Sequence, residues 1–450
     1  MTIGGPWGPG SGAPRSADVN LVEGTTFVIS ARSGSVGDEP AHGLFVLDTR
    51  IISRWSVEVL DWNLAPLVFA PMSPFSGTFV SRVERPGDID APMVVVQRRH
   101  VGGTMREDLE IRNHGPARDL VVRLHVGTDL AGLFDIKAGN GGTNALRVRS
   151  EAVDHGLVLT IDEVDGSAGG VPVSGTAVTS VAVTSTEPPG AVDIAGSVLS
   201  WAVRLDAGAS WSTCLVVTLW THGGASVGPT HPCDVPIDEG LPTGRMRRWR
   251  DRIATSASDD AWFDRAVDVS LDDLGSLRIF DPEHPDRVVV AAGSPWFMAL
   301  FGRDSLLTSW MTLPFDQELA LGVLAELADT QGRRHHELTD EQPGRILHEV
   351  RFDPLSAELL GGANRYYGTV DATPLFVMLV AEVARWTGAT ERVQALLPAV
   401  DRALEWIDRW GDRDGDGFVE YERSHERGLL HQGWKDSWDG IRHEDGSVAE

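Results

Sequence analysis

The residues best suited to chemistry are concentrated near the end of the chain. Two aspartates, two tryptophans and a lysine follow one another at residues 433–439, in the order Gly433-Trp434-Lys435-Asp436-Ser437-Trp438-Asp439. An indole beside a carboxyl group excludes water and raises the pKa of that group, a property that a general acid requires. The lysine opposes this effect because it favours a carboxylate. The segment fits the acid side of a glycosidase, and a polar loop with two core tryptophans is the alternative.

A second group of candidate residues precedes a predicted helix, at residues 296–305. Arg303 can donate hydrogen bonds to neighbouring hydroxyl groups of a sugar, and Asp304 can accept them. Trp296 and Phe301 offer flat apolar faces for a sugar ring. These residue types favour a sugar-binding site, and a capped helix with a local ion pair is the alternative.

A third group lies in and just after the long segment 332–368, and loops of that length usually carry function. His348 and Glu349 offer polar contacts, and Tyr367 and Asp371 follow them. Asp371 also fits a first-turn acid that favours the helix dipole, because a helix is predicted to open at Thr373-Pro374. His348 and Glu349 fit a surface pair equally well.

Residues 412–417 (DRDGDG) copy the opening of a calcium-binding EF-hand loop. Position twelve of that loop is Arg423, whereas the standard loop requires a bidentate glutamate there. We therefore predict no metal site here and an Asp/Gly turn that follows a helix. Weak calcium binding with Glu420 is the alternative.

The elements that must position these groups change in kind near residue 242. Residues 19–241 alternate apolar and polar side chains with a period of two, and Gly, Pro, Asp and Asn punctuate the gaps. We predict a large antiparallel β-sandwich over 19–241, preceded by a disordered tail at 1–18 that is rich in Gly and Pro. Predicted strands include 120–126, 157–161, 178–183, 198–205 and 213–220.

After a predicted linker at 242–257, the pattern becomes helical. Ser258 is expected to cap a helix with a buried stripe of Phe263, Val267, Leu271 and Leu274. Further helices are predicted from near Arg303, over 317–330, from Thr373-Pro374, and over 397–410. In the helix that opens at Thr373-Pro374, the predicted buried face comprises Phe376, Leu379, Val383 and Trp386.

Composition excludes several classes of function. A formal charge of -26 repels nucleic acid and anionic lipid, and no apolar run reaches the roughly 18 residues of a membrane span, so neither partner is expected. The N-terminal segment lacks the features of a signal peptide. Cys214 and Cys233 are the only cysteines, and we expect free thiols in a reducing, cytoplasmic compartment.

The motifs resemble those of the bacterial amylo-α-1,6-glucosidase (glycogen-debranching) family over nearly the whole chain from about residue 22. In the predicted sandwich, residues 23–27 (EGTTF), 43–50 (GLFVLDTR) and 129–136 (DLAGLFDI) carry the likeness. In the helical part it is carried by residues 301–305 (FGRDS), 366–374 (YYGTVDATP) and 433–437 (GWKDS). The resemblance implies a β-sandwich followed by an (α/α)6 toroid.

The resemblance also implies roles for individual residues. Inverting enzymes of this kind pair one carboxylic acid with one carboxylate, roughly 6.5 to 9.5 Å apart, and use no cofactor. Asp436 corresponds to the general acid because it follows Trp434 by two positions, and Asp439, directly after Trp438, is the reserve. Arg303 and Asp304 would hold hydroxyls of the glucose at the cleavage point. The pocket lining would comprise Trp296, Phe301, His348, Glu349, Tyr367, Asp371, Trp434, Lys435 and Trp438.

The predicted toroid is incomplete within residues 258–450, because it lacks the C-terminal helices in which the family carries its catalytic base. We therefore expect hydrolysis of α-glucosidic bonds in a glycogen-like glucan or related glucoside by the full-length protein, and an inactive truncated chain. A glycoside phosphorylase and a non-catalytic glucan-binding protein are the alternatives.

Overall fold

The computed structural model describes residues 18–85, 92–137, 148–161, 178–221, 224–280, 284, 287–351, 363–437 and 440–448. They belong to two compact units, which divide along the chain between Trp249 and Arg250. The predicted tail, apart from Asp18, lies outside the described residues. Among the described helices, none has the length and apolar character needed to cross a membrane.

The first unit is built mainly from seventeen described strands, β1 to β17, with a short helix α1 (Leu133–Lys137). Helix α2 (Leu241–Arg252) ends this unit along the chain, and its last three residues belong to the second unit. The strands are Val19–Glu23, Thr26–Ser30, Gly43–Val46, Thr49–Ile52, Arg54–Val59, Asn63–Ser73, Ser76–Glu84, Met93–Gly102, Thr104–Asn113, Arg118–Gly127, Val148–Val153, Gly156–Ile161, Val178–Ser185, Ala191–Asp193, Val198–Leu205, Ser210–Thr221 and Ser226–Val227.

These strands form three antiparallel sheets. One sheet has the order β1-β2-β3-β4, a second has the order β14-β15-β10-β5, and the third runs β11-β12-β13-β16-β9-β8-β7-β6 with β17 beside β16. In β10, Leu120, Val122, Leu124 and Val126 are buried and the residues between them are half-buried, which is the expected period of two. Apolar side chains from all three sheets share one core. The prediction of an antiparallel, sheet-rich N-terminal region is confirmed.

One prediction about this unit is wrong. Cys214 and Cys233 form a disulfide, with Cα atoms 6.1 Å apart, because the segment after β16 returns towards that strand. The argument from free thiols therefore no longer supports a cytoplasmic location, which stays a prediction. The predicted linker 242–257 contains most of α2, which continues to Arg252, and the division between the two units falls within it. The linker itself stays a prediction.

The second unit contains five described helices after residue 260, together with short strands. The helices are α3 (Ala261–Ser276), α4 (Gly302–Thr312), α5 (Gln317–Asp329), α6 (Ala372–Thr387) and α7 (Glu391–Trp406), and a π-helical turn follows at Ile407–Gly411. The strands are β18 (Arg278–Phe280), β19 (Val288–Gly293), β20 (Phe297–Leu300), β21 (Glu349–Val350) and β22 (Arg365–Tyr366), which form one three-stranded and one two-stranded sheet.

The helix prediction was wrong in several details. Asp260, not Ser258, caps α3, because its carboxylate accepts from the backbone N–H groups of Trp262 and Phe263. Phe263 is 54% exposed, Val267 and Leu274 are half-buried, and Leu271 alone of the predicted stripe is fully buried.

Three further boundaries or faces differ in the later helices. Helix α6 begins at Ala372, so Pro374 is its third residue and not its first. Trp386 is 52% exposed and does not belong to the buried face of α6. Helix α7 begins six residues before the predicted start of 397, because Thr390 caps it and the helix accommodates Pro398 in its interior.

The apolar faces of α4 to α7 pack around one core. Its buried members include Leu306, Leu324, Phe376, Leu379 and Val383. Helices packed on one another after a sheet-rich region agree with the predicted order of β then α. The incomplete toroid expected for residues 258–450 stays a prediction.

Candidate active site

Arg303 lies in the first turn of α4 and is the centre of the candidate site. The turn approaches the segment before β21 closely, because the Gly302 N–H donates to the His348 carbonyl at 2.9 Å. A Cβ atom at residue 302 would lie 2.1 Å from the Leu347 carbonyl oxygen, so only glycine permits this approach. Gly302 therefore allows the backbone to place the adjacent Arg303 close to the segment before β21.

The guanidinium of Arg303 joins three segments that are distant in sequence. It donates to Asp436 Oδ2 at 2.9 Å, to the Gly433 carbonyl at 3.0 Å and to Asp371 Oδ2 at 3.3 Å. Asp304 lies 3.9 Å away from its Nε atom. The structure thus brings together Arg303, Asp304, Asp371 and Asp436, which the sequence analysis assigned to one site.

Burial and charge act in opposite directions on Arg303. Burial lowers the pKa of the guanidinium, while its hydrogen bond to Asp436 and the charges of Asp371 and Asp304 raise it, and the net shift is upward. Arg303 therefore stays cationic and can donate to oxygen atoms at every pH relevant to the protein.

Asp371 directly precedes α6, but its side chain does not cap the helix. It instead accepts from the Thr369 hydroxyl at 2.6 Å and from Arg303. The carboxylate is thus turned towards the arginine and not towards the helix N–H groups. Tyr367 is 5% exposed, and its hydroxyl donates to the Thr330 carbonyl at 2.8 Å, so its polar atom is engaged within the fold.

His348 reaches the same group of residues from the segment before β21. Its Nε2 atom lies 3.9 Å from Asp436 Oδ2, and its ring meets Phe301 edge-on at 5.6 Å. Glu349 accepts from Arg351 at 2.7 Å, and Arg351 also donates to the Trp296 carbonyl. Glu349 and Trp296 are therefore linked through a buried arginine that the sequence analysis did not select.

The segment around Asp436 differs from the expected dry environment. Trp434 is 75% exposed and Lys435 is also exposed, whereas the side chain of Asp436 is 34% exposed. The expectation that an indole of residue 434 desolvates the carboxyl group is therefore wrong, because this side chain faces solvent. Trp438 and Asp439, the reserve acid, lie outside the described residues.

Two contributors to the site were missed at the sequence level. The Gly433 carbonyl accepts from Arg303, and the Thr369 hydroxyl donates to Asp371. A backbone carbonyl carries no signal in residue type, so the first could not be found from sequence. The second lies two residues before Asp371, and that short spacing could have suggested a local hydrogen bond.

The acidic loop after α7 forms the predicted turn. Asp412 accepts from the N–H groups of Gly415 at 2.8 Å and Gly417 at 3.0 Å. Carboxylate oxygens of Asp412, Asp414, Asp416 and Glu420 lie within 4.8 Å of one another. The weak calcium alternative involving Glu420 thus stays a prediction.

Comparison with known proteins shows one similarity at the level of a domain family. Residues 21–216 match the model of the N-terminal domain of some glycogen debranching enzymes. The matched residues cover strands β2 to β15 and most of β16, so the family likeness resides in the sheet-rich unit. This part of the chain is similar to the N-terminal domain of some glycogen debranching enzymes. No curated protein matches the chain.

A solved structure extends the likeness in fold beyond that domain. It is described as a candidate kojibiose phosphorylase from the human microbiome, and it aligns with a TM-score of 0.52 at 9% sequence identity. The alignment covers 86% of this chain and 56% of the other. The two chains share a fold in which a sheet-rich region precedes a helical one, and this chain spans little more than half the length of that relative.

Proposed function

We propose that the protein cleaves α-glucosidic bonds in a glycogen-like glucan or a related glucoside by hydrolysis with inversion. The observation that carries this proposal is the convergence of Asp371, Asp436 and the Gly433 carbonyl on the Arg303 guanidinium. The match of residues 21–216 to a debranching-enzyme domain supports the choice of substrate class.

In the proposed reaction, substrate hydroxyl groups compete with protein oxygens for the hydrogen-bond donors of Arg303. Its donors are directed at carboxylate and carbonyl oxygens in the absence of sugar, and sugar hydroxyls can take over those donors. In the proposal, substrate hydroxyls displace Asp436 from Arg303. The released carboxyl group can then take up a proton and transfer it to the glycosidic oxygen as general acid.

The remaining residues would bind the glucose unit at the cleavage point. Asp304, 39% exposed, and Asp371, 23% exposed, are open enough to accept from hydroxyl groups. The exposed indole of Trp434 offers a face for an adjacent sugar ring. We assign the base that activates water to no residue of this chain.

The direct experiment measures glucose release from α-1,6-, α-1,4- and α-1,2-linked glucosides. Because the chain spans 56% of the similar phosphorylase, a form extended beyond Glu450 is assayed beside the 450-residue chain. Asp436→Asn should reduce kcat by at least about a hundredfold, as loss of general-acid assistance commonly does. The exposed Asp408→Asn is the matched control and should keep wild-type turnover.

Product analysis separates this proposal from its rivals. Proton NMR of the first-formed sugar should give β-glucose if the reaction inverts the anomeric centre. Turnover that requires inorganic phosphate and yields a sugar phosphate would replace hydrolysis with phosphorolysis. Glucan binding without turnover in either form would favour a scaffold protein.

A further inference from the structure

A buried carboxylate outside the proposed pocket connects the segments that carry the site. Asp340 is 1% exposed. Its Oδ2 atom accepts from the Tyr366 hydroxyl at 2.7 Å and from Gln432 Nε2 at 3.0 Å, and its Oδ1 atom accepts from the Ser424 N–H at 2.6 Å. One side chain therefore holds two other segments of the chain, separated from it by 26 to 92 residues.

A buried arginine completes the same cluster. Arg345 donates to the Asp340 carbonyl at 2.9 Å, to the Thr369 carbonyl at 3.2 Å and to Gln432 Oε1 at 2.7 Å. Burial lowers the pKa of Arg345 to about 10, against the opposing charge of Asp340, so the residue is still cationic at neutral pH. The buried positive and negative charges therefore depend on each other.

The cluster leads directly to the candidate active site along the backbone. The Gln432 carbonyl accepts from the Val370 N–H at 2.7 Å, next to Asp371 in sequence. The carbonyl of the following residue, Gly433, accepts from Arg303, and Asp436 follows three positions later. A shift of Gln432 would thus move the proposed acid relative to the arginine that holds it.

Asp340 cannot itself contact a substrate. Both of its oxygens accept hydrogen bonds from the protein, and its side chain has almost no exposed surface. Any effect of this residue on a reaction must therefore act through the groups that it holds.

We propose that Asp340 is a positioning residue, which fixes the segment 424–436 so that Asp436 meets Arg303 in a geometry able to act on a glucoside. The inference rests on the proposed function for its catalytic part. A misplacement of about 1 Å at a reacting group can cost about a hundredfold in rate, so loss of this hold should be visible in kcat.

Asp340→Asn is the informative substitution. Asp340 has a φ of 53°, in the left-handed region that asparagine also tolerates. The substitution should therefore leave the backbone conformation unchanged. The amide, however, removes the negative charge opposite Arg345 and presents an N–H group where the carboxylate accepted hydrogen bonds. We expect kcat to fall by about ten- to a hundredfold while KM changes by less than about threefold, since Arg303 remains available to bind sugar.

Hydrogen exchange followed by mass spectrometry gives a readout that does not require turnover. In Asp340→Asn, peptides that cover 424–436 should lose protection, whereas peptides from α5 and α7 keep theirs. Tyr366→Phe removes one of the three donors and should produce a smaller change in the same direction. Glu341→Gln is the matched control, because the neighbouring carboxylate contacts only Arg333 and Arg334 among the partners described for its side chain.

The outcomes separate the two proposals. Wild-type exchange and wild-type kcat in both Asp340→Asn and Tyr366→Phe would overturn the positioning role. Faster exchange in 424–436 together with a fall in kcat supports it. Faster exchange in a protein whose wild type cleaves no glucoside would overturn the proposed function, while the structural hold of Asp340 on this segment would stand.

Discussion

Two arginine–carboxylate clusters, one in each unit, use the same pairing for different ends. In the sandwich, Arg99 and Glu107 form an ion pair in which both side chains are 0% exposed. Glu107 also accepts from Trp55 at 2.9 Å and Gln97 at 3.0 Å, and Arg99 donates to the Gly34 carbonyl at 2.7 Å. Nothing from solvent can compete for these bonds.

The Arg303 cluster in the helical unit is open by contrast. Arg303 is 11% exposed, and its partners Asp371 and Asp436 are 23% and 34% exposed. Water or sugar hydroxyls can reach these carboxylates and exchange with them. Burial therefore distinguishes a structural ion pair from an ion pair that can exchange its hydrogen bonds with a ligand, whereas the pairing of arginine with a carboxylate is common to both.

The largest expected effect concerns the buried Arg99–Glu107 ion pair. Glu107→Gln leaves the shape of the side chain and removes its charge, so Arg99 becomes an unpaired buried cation. The free energy of unfolding of the sandwich should fall by about 3–5 kcal/mol, measured by urea denaturation. Asp119→Asn breaks an exposed pair with Arg204 and should change stability by no more than about 1 kcal/mol. Equal effects of the two substitutions would remove the distinction drawn from burial.

The next effect tests the covalent link in the same unit. Cys214 and Cys233 close a loop with a sequence separation of 19, for which loop entropy predicts about 3 kcal/mol of stabilisation. Cys214→Ser should lower the stability of the sandwich by about that amount and abolish its response to reductant. The helical unit contains no cysteine and should be unaffected. Two titratable thiols in the native, untreated protein would contradict the pairing.

The open cluster predicts loss of function with little loss of stability. The guanidinium of Arg303 is planar and donates hydrogen bonds to Asp371, Asp436 and the Gly433 carbonyl. Arg303→Lys substitutes a single ammonium group, which cannot make the same set of hydrogen bonds. We expect kcat/KM for a cleaved glucoside to fall by about a hundredfold, while the free energy of unfolding changes by less than about 1 kcal/mol. If the helical unit unfolded in this variant, Arg303 would have a structural role in stability, as Arg99 has in the sandwich.

Local periodicity explains how much of the fold was predictable. Strand β15 (Val198–Leu205) was predicted with its observed bounds, and α5 (Gln317–Asp329) within one residue, because each has a clear repeat of apolar side chains. The short strands β18 and β20 were missed, since three or four residues are too few to establish a period. The Asp260 cap was missed because Ser258, two residues earlier, is an equally good capping type.

The candidate site was predictable in composition and not in its connections. Arg303 and Asp436 were selected by residue type, yet they are 133 residues apart and nothing local indicates that they form a hydrogen bond. Asp340 was missed altogether, since its partners Tyr366, Ser424 and Gln432 are brought to it only by tertiary structure. Residue types can therefore suggest chemistry, while the groups that hold a site depend on long-range packing.

The last expected effect is a pH dependence of the stability of the sandwich. His100 and His231 are buried side by side, with ring centroids 5.5 Å apart. Burial, followed by the neighbouring His231 and Arg106 charges, lowers the pKa of His100 to about 3, and burial with Arg106 lowers the pKa of His231 to about 4. In the unfolded chain, both titrate near the ordinary value of about 6.5.

Between pH 6.5 and 4, the unfolded state consequently binds up to two more protons at these residues than the folded state. Stability rises with pH wherever the unfolded state binds more protons than the folded state, so the sandwich should lose stability as the pH drops through this window. Urea denaturation at pH 7, 5.5 and 4.5 should give a flatter profile for His231→Phe than for the wild type, while the exposed His114→Gln keeps the wild-type slope. If the free energy of unfolding of His231→Phe depended on pH as steeply as that of the wild type, the two buried histidines would take up protons without unfolding. The interior of the sandwich would then be more accessible to solvent than the buried Arg99–Glu107 pair indicates.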